Sequence, residues 1–211
     1  RSKNKNSLLK TVQNIVPKNI DCVFVRQDLP LGLGHAIYCA KSIINDEPFA
    51  VILADDLIKS KTPCLKQMIN LYSDINSTIV AIEKINKKDC NKYGIIDYSS
   101  KSKSLYSLKS IIEKPSNAKA KSNLAVVGRY ILPSNIFGKI KKSKPGVGKE
   151  IQITDAISGL IEDHNVYGYA FEGKRFDCGS KLGYLKATTE YAMEHKELSR
   201  DFKNYLKRLK I

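Results

Sequence analysis

An unbroken apolar run at residues 49–54 leads directly into the paired carboxylates Asp55 and Asp56. A short apolar run bounded by polar residues reads as a strand buried on both faces, the kind found in parallel sheets with helices on either side. Neighbouring segments keep the same rhythm. Residues 21–26 read as a buried strand, residues 27–34 as a loop, and residues 35–44 as a helix. Thr62 followed by Pro63 predicts an N-cap and a first helical residue for a helix running to about Tyr72, and residues 77–83 form the next strand. Strand, helix, strand, helix, strand predicts a parallel sheet covered on both faces. Upstream, Leu8, Leu9, Val12, Ile15 and Val16 recur at helical spacing until Pro17.

The second half is more mixed. Residues 93–97 and 105–112 are expected strands on either side of a polar turn at 99–104, and residues 124–132 form a strand stopped by Pro133. Ser134 is expected to cap a short helix to about Lys142, residues 143–149 form a loop, and Thr154 is expected to cap a helix whose core face is Ile157, Leu160 and Ile161. Residues 166–171 read as a strand, with two helices from about Lys181. The fold class is α/β: one domain with a mixed sheet and a helical C-terminal end.

A length of 211 residues suits one domain that needs no staples, and 36 basic against 21 acidic residues leave +15, which favours anionic partners. Cys22, Cys39, Cys64, Cys90 and Cys178 are scattered without a CxxC pair, so neither a zinc site nor a disulfide framework is expected. No run approaches the roughly 18 apolar residues of a membrane helix. No signal peptide is visible, and a reduced, cytoplasmic chain is expected. The chain starts with Arg1 rather than methionine and reads as a fragment. The basic runs 139–144 and 207–210 lack interleaved aromatics for base stacking, so they read as solvated surface rather than a nucleic-acid site.

Several short segments could carry chemistry, each with a plain alternative. The loop holding Gly32 and Gly34 sits between a strand and a helix and lacks both the dinucleotide fingerprint and the Walker pattern; an ordinary turn explains it equally well. Asp55 and Asp56 lie where open α/β sheets bind ligands and suit Mg²⁺, or they are turn aspartates. Glu113 and Lys114, held before Pro115, should diverge from a strand end to meet sugar hydroxyls and a phosphate, or form a surface ion pair. Asp177 could join Asp55 in a two-carboxylate Mg²⁺ site, or cap the helix after Gly179. His35, His164 and His195 lack the spacing of a metal pair or a triad.

Taken in order, VRQDLPLGLGHA (25–36), LADDLI (53–58), IEKP (112–115), VGRY (127–130), EIQITDA (150–156) and FDCGSKLGY (176–184) resemble the bacterial UTP–glucose-1-phosphate uridylyltransferases, over a span from about Leu8 to about Leu206. The resemblance implies a Rossmann-like nucleotidyltransferase fold and the reaction of UTP with α-D-glucose 1-phosphate to give UDP-glucose and pyrophosphate. By the same resemblance, Gln27 and the Gly32 backbone hold the uracil, and Asp55 and Asp177 bind Mg²⁺. Gly94 approaches the glucose with its backbone, Glu113 accepts glucose hydroxyls, and Lys114 contacts the sugar phosphate. Lys114 and Asp55 are the catalytic expectations. The chemistry needs no covalent nucleophile, because positioning and charge neutralisation carry an in-line phosphoryl displacement.

The family also carries an upstream Gly-rich triphosphate loop with an arginine and a lysine, which has no counterpart in residues 1–211. The expectation is therefore a nucleotidyltransferase domain over 1–211 without its N-terminal nucleotide-binding segment, inactive by itself and homo-oligomeric when intact. A non-catalytic sugar-nucleotide-binding or oligomerising remnant is the alternative reading, and a basic nucleic-acid-binding module is a third. No nucleic-acid or membrane partner is expected.

Overall fold

The computed structural model of the protein describes residues 6–209. Its strands, numbered in chain order, are β1 (Phe49–Ile52), β2 (Asp56–Lys59), β3 (Thr78–Lys84), β4 (Gly94–Ser102), β5 (Leu105–Glu113), β6 (Leu124–Leu132), β7 (Val166–Ala170) and β8 (Lys174–Asp177). The helices are α1 (Asn6–Gln13), α2 (Leu33–Cys39), α3 (Lys41–Ile44), α4 (Cys64–Ile75), α5 (Ile136–Lys142), α6 (Ile153–Ile161), α7 (Lys181–Glu194) and α8 (Ser199–Arg208). Six strands form the main sheet in the order β1-β6-β3-β7-β5-β4, and β2 pairs with β8 in a small second sheet.

Alternation along the central strands explains why both faces are covered. Val80 and Ile82 of β3, with Val126, Tyr130 and Leu132 of β6, pack with residues of α2, α5 and α6. Their neighbours Ile79, Ala81, Val127 and Ile131 cluster with Cys64 and Met68 of α4. Because each side chain of β3 from Ile79 to Ile82 meets a packed layer, the strand reads as a continuous apolar run. The predicted strand at 124–132 matches β6, and the mixed α/β class is the observed one.

The parallel sheet expected of the first half is not what forms. Among the described residues only β3 and β7 pair parallel. Strand β6 lies between β1 and β3 and is antiparallel to both. Chain order cannot reveal an insertion made by a strand some seventy residues downstream. Residues 21–26 form no strand, and Phe24 is 96% exposed. A strand needs a hydrogen-bonded neighbour, and none of the described residues provides one there. Strand β1 is shorter than expected and lies at the sheet edge, so only alternate residues are half-buried and Ile52 points to solvent.

Local signals misplace several boundaries. Helix α1 ends at Gln13, and its Leu8, Leu9 and Val12 are exposed. The helix expected at 35–44 breaks at Ala40 into α2 and α3. None of the three expected hydroxyl caps forms: the N-cap positions are Pro63 for α4, Asn135 for α5 and Gln152 for α6, each without a side-chain cap bond. Helix α7 is capped by its own serine, Ser180 Oγ accepting from the Gly183 N–H at 3.0 Å. The β4–β5 turn is tighter than predicted, closing at Lys103 with φ 52°. All five cysteines are free, with Cys64 and Cys90 buried. Among the described residues no helix is long and apolar enough to cross a membrane.

Candidate active site

The two neighbouring aspartates at the end of β1 have different environments. Asp56 is buried and fully engaged: its Oδ2 accepts from the Gly128 N–H at 2.6 Å and its Oδ1 from Arg175 Nε at 2.5 Å. Gly128 permits this approach, since a Cβ there would stand 2.7 Å from both Asp56 Oδ2 and Leu53 Cβ. Arg129 holds the same turn, donating to the carbonyls of Leu53 and Asp56 at 3.1 and 2.7 Å. Asp55 is exposed. Its carbonyl accepts from the Cys178 N–H at 2.8 Å, and Asp56 pairs with Asp177 across β2 and β8, so the pairing brings Asp55 beside Asp177.

A methyl group placed on Gly179 would lie 3.2 Å from Asp55 Oδ2 and 3.2 Å from Asp177 Oδ1. The two oxygens are therefore no more than about 6.4 Å apart, twice that distance, and a side chain at Gly179 would crowd both. Asp177 is held by the Tyr93 hydroxyl, which donates to its Oδ2 at 2.9 Å, while its Oδ1 accepts from the Gly179 N–H at 3.1 Å. Ser180, not Asp177, caps α7. A pair of carboxylates fits Mg²⁺, which takes one or two such ligands and completes its shell with water and substrate phosphates. Among the described residues there is no cluster of three or more His, Cys, Asp or Glu that could hold a metal.

The sugar-side expectations meet at the paired ends of β4 and β5, where Gly94 stands opposite Glu113 in register. Glu113 is largely buried, and burial raises its carboxyl above the usual carboxylate range, opposed by the Thr154 hydrogen bond and by Lys114. Thr154 Oγ1 donates to Glu113 Oε2 at 3.0 Å. Lys114 does not diverge as expected: its Nζ is 3.8 Å from Glu113 Oε1, with the side chain still 41% exposed. The reason is its backbone, which turns into the left-handed region at φ 44° instead of continuing the strand. Pro115 favours an extended conformation for the residue before it, and Lys114 departs from that preference.

Gln27 and Gly32 form a separate corner. Gln27 Nε2 donates to the Gly32 carbonyl at 3.2 Å and lies 3.0 Å from His35 Nδ1. Gly32 takes φ 95°, a conformation few other residues adopt, and the loop docks through Gly34 N–H to Ile151 O at 2.9 Å and Ile151 N–H to Leu31 O at 2.7 Å. A cleft of about 440 Å³ contains Asp55, Asp177, Gly94, Glu113 and Lys114 together with Leu33. Gln27 and Gly32 are outside its lining, one step along the docked loop.

The nucleotidyl transferase family model matches residues 1–194. A UTP–glucose-1-phosphate uridylyltransferase of Staphylococcus epidermidis is 42% identical over 210 residues, covering all of this chain and 73% of the relative. The chain belongs to this nucleotidyl transferase family. The Bacillus subtilis uridylyltransferase is 42% identical over 93% of this chain and 67% of its own length. A solved UDP-glucose pyrophosphorylase from Acinetobacter baumannii superposes with TM-score 0.88 at 39% identity, covering 98% of this chain and 72% of that one. A UDP-glucose pyrophosphorylase complexed with UDP-glucose superposes with TM-score 0.84 at 44% identity, covering 92% and 74%.

Within this nucleotidyl transferase, three residues that sequence reasoning missed hold the cleft together. Arg175, buried under the Tyr93 ring with its Cζ 5.1 Å from the centroid, joins β8 to Asp56. Tyr93 joins the start of β4 to Asp177, and Thr154 joins α6 to Glu113. Only Arg175 carried a readable signal, as a basic residue two positions before an expected metal ligand.

Proposed function

We propose that the protein carrying this chain transfers the uridylyl group of UTP to α-D-glucose 1-phosphate. A phosphate oxygen of the sugar phosphate attacks the α-phosphorus of UTP, the bond to the β-phosphate breaks, and pyrophosphate leaves as UDP-glucose forms. The observation that carries this reading is the meeting of Gly94, Glu113, Lys114, Asp55 and Asp177 in one cleft. Glu113, an acceptor walled by Thr154 and Gly94, would bind glucose hydroxyls, and the Gly94 backbone would lie against the sugar. The half-exposed Lys114 ammonium would offset repulsion between the two phosphorylated substrates. Gln27 and the Gly32 backbone would hold the uracil. Asp55 and Asp177 would hold Mg²⁺, which supplies charge neutralisation at phosphate oxygens. Asp55 and Lys114 would act at the reacting phosphates.

The test is pyrophosphate release from UTP and glucose 1-phosphate by the protein carrying this chain. Absence of both turnover and UDP-glucose binding would overturn the assignment. For the sugar pocket, Glu113→Gln is expected to raise the KM for glucose 1-phosphate roughly tenfold or more while the KM for UTP changes little, because only the sugar loses a charged hydrogen-bond partner. Equal effects on both substrates would place Glu113 outside the sugar pocket.

A further inference from the structure

Thr154 is the second residue of α6, where sequence reasoning gave its hydroxyl to the helix N-terminus. In the structure that hydroxyl leaves the helix and donates to Glu113 Oε2 at 3.0 Å. Thr154 is 4% exposed, so the bond is made out of water. Gly94 closes the third side: a Cβ there would stand 2.8 Å from Thr154 Cγ2 and 3.1 Å from Glu113 Oε2. One carboxylate oxygen is thereby fixed by α6 and β4, and the other faces Lys114 at 3.8 Å.

We propose that Thr154 is a positioning residue for the sugar: its hydroxyl fixes the Glu113 carboxylate in the one orientation that presents an acceptor to the glucose hydroxyls. The proposal rests on Glu113 being the sugar acceptor. A buried carboxylate with a single neutral donor is free to rotate once that donor is removed, and rotation toward Lys114 would turn its acceptor away from the sugar. Ionisation follows the same contact. Burial raises the Glu113 carboxyl, Asp155 and Glu150 raise it further, and Thr154 and Lys114 oppose them. Tyr130, which also lines the cleft, has its phenol raised by burial and, to a smaller extent, by the charge of the same carboxyl. Removing the Thr154 donor leaves Lys114 alone against these effects, so the carboxyl moves higher still. An ionised Glu113 is the better acceptor; affinity is therefore full above its pKa and is lost as pH falls through it.

The experiment is calorimetric titration of UDP-glucose and, separately, UTP into the protein carrying this chain, across a pH series. Thr154→Val, which keeps the shape and deletes the hydroxyl, is expected to weaken UDP-glucose roughly 10- to 100-fold, the loss that goes with a hydrogen bond to a charged group. The acid limb of its affinity profile should move to higher pH, while UTP affinity stays within about twofold of the parent, inside the scatter of such measurements. Thr154→Ser should restore both magnitude and midpoint. A valine variant with an unshifted midpoint, or a serine variant that behaves like valine, would overturn the positioning role and leave Thr154 as packing only. Glu113→Gln separates the two levels: unchanged UDP-glucose affinity there would remove the assignment of Glu113 itself. Loss with Glu113→Gln but not with Thr154→Val would remove only the role of Thr154.

Discussion

Arg175→Met is expected to destabilise the protein by roughly 3–5 kcal/mol, the range that follows when one partner of a buried ion pair is deleted. The Arg175 and Asp56 side chains are only 8% and 7% exposed and meet at 2.5 Å. The guanidinium also reaches Glu83 at 3.5 Å and Asp177 at 3.8 Å. Without it, Asp56 keeps only the Gly128 N–H, and its charge stays where water cannot solvate it. Glu83, already raised by burial and lowered by Arg175, would rise further. Urea or thermal unfolding measures the loss. Arg26 provides the contrast: its pair with Asp28 is 87% and 81% exposed, and Arg26→Met should cost less than about 1 kcal/mol. Replacing Asp56 and Arg175 together by apolar residues should recover part of the loss, since removing both charges of a buried pair leaves neither unpaired. An Arg175→Met protein as stable as the Arg26→Met protein would show that the pair bears no structural load.

The same contrast explains what the chain disclosed in advance. The boundaries of β6 were readable because Leu124–Leu132 is buried on both faces and stopped by a proline, so local pattern and tertiary environment agree. Asp55 stood out because a carboxylate after an apolar strand has few uses other than a turn or a ligand. The partners of Arg175 could not be read, because Glu83 and Asp56 lie 92 and 119 residues away in the chain. Thr154 was read wrongly for a related reason: a capping preference of about 1 kcal/mol competes with a buried bond to a carboxylate, and the carboxylate, 41 residues away, prevails. Residues 21–26 show the converse. Their composition satisfies every local rule for a strand, yet strand formation is a property of two backbones, and no second one is present among the described residues.

The largest expected functional loss comes from the space between Asp55 and Asp177. Asp177→Asn removes a hard anionic ligand while preserving shape, and the amide oxygen can still accept from Tyr93. The magnesium concentration for half-maximal pyrophosphate release should rise by at least the roughly 10- to 100-fold that follows loss of even an outer contact to a metal. Asp55→Asn should behave alike, whereas Asp56→Asn should lower stability and leave the magnesium requirement of the folded fraction nearly unchanged, because both Asp56 oxygens face protein donors. Gly179→Ala tests the site without touching a charge. Its methyl would stand 3.2 Å from an oxygen of each carboxylate, inside the space a cation must occupy. If the space is a metal site, Gly179→Ala should raise the magnesium requirement by a comparable factor with little loss of thermal stability, since Gly179 is exposed. Direct titration with Mn²⁺ in the presence of UDP-glucose, followed by electron paramagnetic resonance, reads the same affinity independently of turnover. Normal Mn²⁺ affinity in both Asp177→Asn and Gly179→Ala would mean that the two carboxylates serve only to hold β2 and β8 in register, and that the metal binds elsewhere in the cleft.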